Sequence, residues 1–399
     1  MLIAARWLLT GATPPLQNAA VLIEEGVIRD FGTRQWFAKR DVADVVDLGE
    51  TILMPGLVNA HCHLEFSALK GKIPPTDSFT DWVLQLLMNN ASLTPEEWKT
   101  GIKDGINGLI RGGTTTLADH RSPLLEPIET PFREFLFFEI LGPGEERARE
   151  SLKKGYERTA AFESELGAAQ ISPHSFYSVP VPMLEEILGP RAGETPLSIH
   201  LLENQEEEDF FRKGISPLAA QLKVAGGVGQ FPDPSPVHWL KGHDWLGPHL
   251  MLVHGNHLIE EEIRLLRGTD VTVIHCPGSH RFFKNRRFPL ETLLRHGVAV
   301  GIGTDSLASN ESLNMLKQIK LMKESFPSLG GEDLLRMASL SGAVALGLGS
   351  EIGTVEVGKK ADIVGVPLLN TEIDPYEALL LPNEIIFSMI EGRIILPLS

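Results

Sequence analysis

Thr51-Ile-Leu-Met-Pro-Gly-Leu-Val-Asn-Ala-His-Cys-His63 is the stretch on which the rest of the chain turns. It is apolar and β-leaning, and it delivers two histidines at i and i+2. Side chains two apart on a strand point to the same face. Both imidazoles can therefore reach one point in space, and imidazole is the commonest protein ligand for zinc and its neighbours. Taken alone, the pair also fits two half-buried polar residues at a strand end. The surrounding sequence decides between these.

Outward from this stretch, short apolar strands alternate with amphipathic helices. Strands are expected at 56–63, 114–120, 135–141, 170–174, 197–202, 250–255, 271–276 and 298–303, with helices at 79–88, 95–111, 145–165, 182–188, 260–267 and 290–296. Eight strands separated by helices in about 250 residues is the arithmetic of an α/β fold of the (β/α)8, TIM-like barrel type. A doubly wound open sheet is the alternative, but no glycine-rich phosphate turn follows an early strand. Both chain ends read instead as short strands with tight turns. Neither end is large enough to bury a core, so the two are expected to combine into one small β-sandwich. The expected division is 1–52 and 353–399 for the sandwich and 53–352 for the barrel.

Composition narrows the function classes. At 43% hydrophobic and 22% charged, the 399 residues describe a globular protein. A formal net charge of -16 argues against a nucleic-acid or anionic-membrane surface, leaving a small-molecule substrate as the expected partner, with a homodimer as the default assembly. The two cysteines, Cys62 and Cys276, sit in apolar strands and make no disulfide framework, which fits a cytoplasmic setting. The start lacks a basic segment followed by a long apolar run, so neither secretion nor membrane insertion is expected.

A barrel places functional side chains at the C-terminal ends of its strands. That is where the polar residues fall: His61 and His63 on the first, Asp119 and His120 on the second, and His174 on the fourth. His200 and Glu203 follow the fifth, His254 the sixth, His275 the seventh and Asp305 the eighth. His61, His63, His200 and Asp305 supply three imidazoles and a carboxylate to one mouth, a donor set suited to a catalytic metal with one position left for water. Singly, His200 also fits a core histidine and Asp305 a helix N-cap; it is the set that points to metal. Glu203 opens an acidic run, 203–209, that alternatively forms a solvated helix face.

The order His61-Cys-His63, Pro173-His-Ser-Phe-Tyr-Ser178, Ile199-His-Leu-Leu-Glu203, Val253-His-Gly-Asn-His-Leu258, His275-Cys-Pro-Gly-Ser279 and Gly303-Thr-Asp-Ser-Leu-Ala-Ser-Asn310 resembles the amidohydrolase superfamily. The likeness is to its deaminase and chlorohydrolase branch, which includes S-adenosylhomocysteine and aminodeoxyfutalosine deaminases, and it covers nearly the whole chain. Gly353-Thr-Val-Glu-Val-Gly-Lys-Lys-Ala-Asp-Ile-Val364 resembles that family's return into the sandwich. The resemblance implies a distorted barrel, a single divalent metal (zinc, with iron, manganese or nickel as alternatives) and hydrolytic attack on an electron-poor carbon. Carried over by position, it implies His61, His63, His200 and Asp305 as metal ligands and Glu203, His254 and Asp305 as catalytic groups. His174, Trp82 and Ser309 would contact substrate. His257 would be structural, and His275 would contact substrate or brace the site.

The implied reaction is deamination of an aminopurine nucleoside. His63-Leu-Glu-Phe-Ser67 and Ser78-Phe-Thr-Asp-Trp82 look more like aminodeoxyfutalosine deaminases, hence menaquinone biosynthesis, than like adenosylhomocysteine deaminases. Beyond Trp82, where the latter carry a ribose-binding glutamate, this chain has Asn89-Asn90. The basic, aromatic loop 279–288 either holds an anionic part of the substrate through Arg281, Arg286 or Arg287, or is an ordinary exposed loop. Removal of chloride, an alkylamine or an acyl group is the alternative chemistry. A non-catalytic metal-binding relative is the remote one.

Overall fold

Among the described residues, thirteen of sixteen strands precede residue 303, and they divide into two sets by partner. The computed structural model describes residues 1–396 apart from 41, 43, 126, 143, 192 and 227–230. The chain opens with β1 (Leu2–Leu8), β2 (Leu16–Glu24), β3 (Val27–Thr33), β4 (Val45–Asp47) and β5 (Thr51–Pro55). The next eight are β6 (Leu57–Cys62), β7 (Thr114–Arg121), β8 (Arg133–Ile140), β9 (Ala168–Pro173), β10 (Leu197–Leu201), β11 (Leu250–His254), β12 (Thr272–His275) and β13 (Ala299–Ile302). Finally come β14 (Ile363–Pro367), β15 (Phe387–Ile390) and β16 (Arg393–Leu396).

The opening stretch is two strands. β5 pairs with β1 and β14, whereas β6 pairs with β7. Gly56 makes the switch, because a Cβ there would lie 2.1 Å from Thr115 Oγ1. The chain can pass from one sheet to the other only where no side chain stands.

β6 to β13 run parallel in two ladders, β6-β7-β8-β9 and β10-β11-β12-β13. Side chains on these strands are buried except near the starts of β9 and β13, as a sheet covered by helices on its outside requires. Single bridges join the ladders at both seams, Ser175 to His200 and Cys62 to Asp305. His200 N–H donates to His174 carbonyl at 2.9 Å, and Thr304 and Asp305 N–H both donate to His61 carbonyl. The ring is thus closed by the backbone of the residues that carry the site.

The chain ends meet in one eight-stranded sheet, in the order β16-β15-β14-β5-β1-β2-β3, with β4 also on β1. β1 takes β4 along residues 2–4 and β5 along 7–8, so the sheet forks there. Both arms share an apolar cluster that includes Ile3, Val21, Ile28, Leu53, Ile363 and Phe387. Arg133, at the start of β8, donates to both Asp362 oxygens and ties barrel to sheet. No helix among the described residues is long and apolar enough to cross a membrane.

Candidate metal and catalytic centre

Five histidines from four strand ends converge on one place. The rings of His63, His120 and His200 lie 4.8, 4.2 and 4.8 Å from that of His61, and His254 lies 5.6 Å away. His61, His63 and His200 each offer a ring nitrogen within 4.8 Å of the others. Asp305 stands beside them, Oδ1 4.0 Å from His63 Nε2. Its other oxygen accepts from Ser309 Oγ at 3.0 Å, and Oδ1 accepts from Ser306 N–H at 2.7 Å. A carboxylate held this way keeps one orientation.

Both ring nitrogens of His61 are buried without a hydrogen-bond partner, as is His63 Nδ1. Buried polar atoms in this state are rare and costly. Burial, then the neighbouring rings of His120, His63, His200 and His254, hold the His61 imidazole well below its usual pKa. The unpaired His61 nitrogens stand among other ring nitrogens with no donor beside them, and a bound cation would satisfy them. The donor set of three imidazoles and a flanking carboxylate therefore fits a divalent ion. No lysine is among the buried described residues, so nothing of that type is placed to bridge two ions.

Glu203 and His254 form a second group that shares His200 with the first. His254 Nε2 lies 3.3 Å from His200 Nδ1 and 3.7 Å from Glu203 Oε1. Burial, followed by the charges of Asp305 and Glu207, pushes the Glu203 carboxyl well above the usual range. Burial and the His200 ring hold His254 neutral. His254 and Asp305 also adopt left-handed backbone, φ 70° and 57°, a conformation that side chains with a Cβ disfavour and that concentrates at functional sites. Burial thus biases the carboxyl toward its acid form and the imidazole toward its neutral one.

Other expected residues are distributed unevenly. The His174 ring stacks on His200 at 4.6 Å, and its Nδ1 contacts the Ser178 hydroxyl at 2.8 Å. Trp82 is buried and donates its indole N–H to Ala308 carbonyl, close to Asp305. Ser309 spends its hydroxyl on Asp305. Arg281 is not brought to the centre: it pairs with Glu324 on the outer helix Met315–Ser325, with both side chains more than half exposed. Arg287 pairs with Glu291, and Arg286 reaches His257 carbonyl and Glu208. An acidic protein provides nearby carboxylates for its basic loop, and these claim the guanidinium groups. His257 is fixed between Glu208 and Asn285, while His275 stacks on Phe288 at 4.0 Å.

The acidic run after Glu203 is only partly a solvated face. Glu207 is buried, accepts from the N–H groups of Leu202 and Glu203, and is raised by burial to about 7. Glu139, at the end of β8, was not foreseen. It accepts from His200 Nε2 at 3.2 Å and lies 3.8 Å from His63 Nδ1. Burial alone would raise its pKa, but His63, His174 and His200 hold it well below the usual range. Its signal was a lone acid in the otherwise apolar run Phe135-Leu-Phe-Phe-Glu-Ile140.

The family model described as "Amidohydrolase family" matches residues 52–395. The 5-methylthioadenosine/S-adenosylhomocysteine deaminase of Pyrococcus furiosus is 28% identical, covering 94% of this chain and 88% of that protein. An adenosine deaminase from Xanthomonas campestris, solved with bound zinc, superposes with a TM-score of 0.79 at 26% identity, covering 100% and 93% of the two chains. Helicobacter pylori aminofutalosine deaminase, in complex with methylthio-coformycin, shares the fold with a TM-score of 0.88 at 22% identity, covering 99% and 100%.

Proposed function

The chain belongs to the amidohydrolase family, and we propose that within it this protein is a metal-dependent hydrolytic deaminase of an aminopurine nucleoside, with aminodeoxyfutalosine as substrate and zinc as metal. Glu203 carries the reading: a buried carboxyl kept protonated, 3.7 Å from a neutral histidine, beside a cluster fit for a metal ion. Chloride leaves a ring carbon without taking up a proton, so its removal has less need of such an acid than the loss of an amino group. An aminopurine needs it, because its ring nitrogen must be protonated before the neighbouring carbon accepts a nucleophile.

A divalent ion bound by His61, His63, His200 and Asp305 would lower the pKa of a water molecule and so supply the nucleophile. Glu203 donates its proton to the ring nitrogen beside the amino-bearing carbon. Asp305 takes a proton from the attacking water, and neutral His254 donates a hydrogen bond to its oxygen as the carbon becomes tetrahedral. The C–N bond then breaks as the amine takes up the proton held by Asp305, and the new hydroxyl returns a proton to Glu203 as it becomes a carbonyl, so one water is consumed and one ammonia released.

The choice of nucleoside rests on the likeness of His63–Ser67 and Ser78–Trp82 to aminodeoxyfutalosine deaminases and on Asn89-Asn90. The Pyrococcus relative favours methylthioadenosine or adenosylhomocysteine as the second candidate. The test offers the zinc-loaded protein each of these and adenosine, following the ultraviolet change from adenine to hypoxanthine. A kcat/KM for aminodeoxyfutalosine about tenfold or more above the others supports the assignment. Preference for methylthioadenosine or adenosylhomocysteine reassigns the substrate and keeps the deaminase. No conversion, with metal bound, moves the protein to the dechlorinating, dealkylating or deacylating hydrolases.

A further inference from the structure

The helix Phe79–Ala91 is held mainly at one end. Among its 13 residues only Phe79, Thr80 and Trp82 are buried. Val83 and Leu86 reach the core half-buried, while Leu84, Leu87 and Met88 are exposed. Its first turn touches two loops that follow barrel strands and one carboxylate. Trp82 donates to Ala308 carbonyl in the loop after β13, and Phe283, in the loop after β12, packs edge-on against Phe79 and Trp82 at 5.6 and 5.0 Å. The third attachment is that carboxylate. Glu206 accepts from Ser78 Oγ at 2.8 Å, Phe79 N–H at 3.0 Å, Thr80 N–H at 3.1 Å and the Thr80 hydroxyl. Two of the four backbone donors that a helix start leaves unpaired are thus satisfied by an acid from a different part of the chain, placed where the helix dipole favours negative charge.

Glu206 is three residues beyond Glu203, in the first turn of the helix Gln205–Lys213. It therefore ties the loop that carries the acid to the helix that carries Trp82. We propose that Glu206 is a positioning residue, which clamps the first turn of the 79–91 helix and so fixes Trp82 against the non-reacting part of the substrate. This rests on the centre being the substrate site. Glu206 touches neither the histidine cluster nor any reacting atom, so its loss acts on binding.

Glu206→Ala, and Glu206→Gln as the milder variant that keeps one acceptor oxygen, would be compared with the wild-type zinc-loaded protein. The readouts are amide hydrogen exchange over residues 79–82, zinc content, and kcat and KM for the nucleoside found above. The clamp predicts faster exchange at Phe79 and Thr80, unchanged zinc, kcat within about twofold and KM raised about tenfold in the alanine variant, with glutamine between. Unchanged exchange overturns the clamp. So does a fall in kcat at constant KM, or loss of zinc, which would place Glu206 in support of the metal centre. If the wild-type protein converts no nucleoside, the proposed function fails while the exchange measurement still decides the clamp.

Discussion

Burial sends two kinds of side chain in this site toward the same state, the uncharged one. Glu203 is driven to hold its proton and His254 to lose one, the pairing that an acid-assisted hydrolysis uses. Glu203→Gln should lower kcat by about 10²–10⁴-fold with zinc content unchanged, measured by steady-state assay and metal analysis. Because the acid form is the working one, activity should fall as pH rises through the raised pKa of Glu203, and the glutamine variant should lose that limb. His120 and His174 carry a second pH signature, both lowered by burial to about 3. Unfolded chains bind these protons near pH 6.5, so the unfolded state takes up more protons on acidification. Stability of the metal-free protein should therefore be complete above about pH 6.5 and fall as pH drops toward 3, visible as a declining melting temperature. A melting temperature constant from pH 7 to 4 would contradict this.

At the scale of elements, the site depends on how closely β6 and β13 approach. A Cβ on Gly303 would stand 2.8 Å from both the Cβ and the carbonyl of His61, whose backbone also receives Thr304 and Asp305. Gly303→Ala removes no ligand, yet it should weaken zinc binding by displacing His61; a competition titration with a chelator reads this directly. The join between barrel and terminal sheet is ionic and buried. Arg133 and Asp362 side chains are 7% and 2% exposed, so Asp362→Ala leaves the buried guanidinium with only Glu391 at 3.7 Å and a long contact to Leu166 carbonyl. The expected cost is about 3–5 kcal/mol in denaturant unfolding, compared with below about 1 kcal/mol for breaking the exposed pair Arg111–Glu384. Another buried group, Arg121 between Asp119 and Glu134, holds the end of β7 and its loop in the same manner.

For the whole molecule, what the sequence disclosed follows the reach of the interactions. Strand ends were readable because strand period and barrel geometry are local rules, and they put His61, His63, His174, His200, His254 and Asp305 in one mouth. Pairings between distant segments carry no local mark. Glu206 gripping residues 78–80, Glu139 meeting His200 and Arg281 turning to Glu324 emerged only with the fold. The change of sheet at Gly56 also carries no local mark, because glycine and proline inside an apolar run do not announce one. The proposed deamination needs an acid beside a metal-binding cluster to act on a C–N bond. Ammonia release from aminodeoxyfutalosine and the adenine nucleosides, by zinc-loaded wild-type and Glu203→Gln proteins of equal metal content, tests it most directly. Rapid release by the wild type from one nucleoside, nearly lost in the variant, is the predicted result. Equal release by both proteins, or none from any nucleoside with zinc bound, would contradict it.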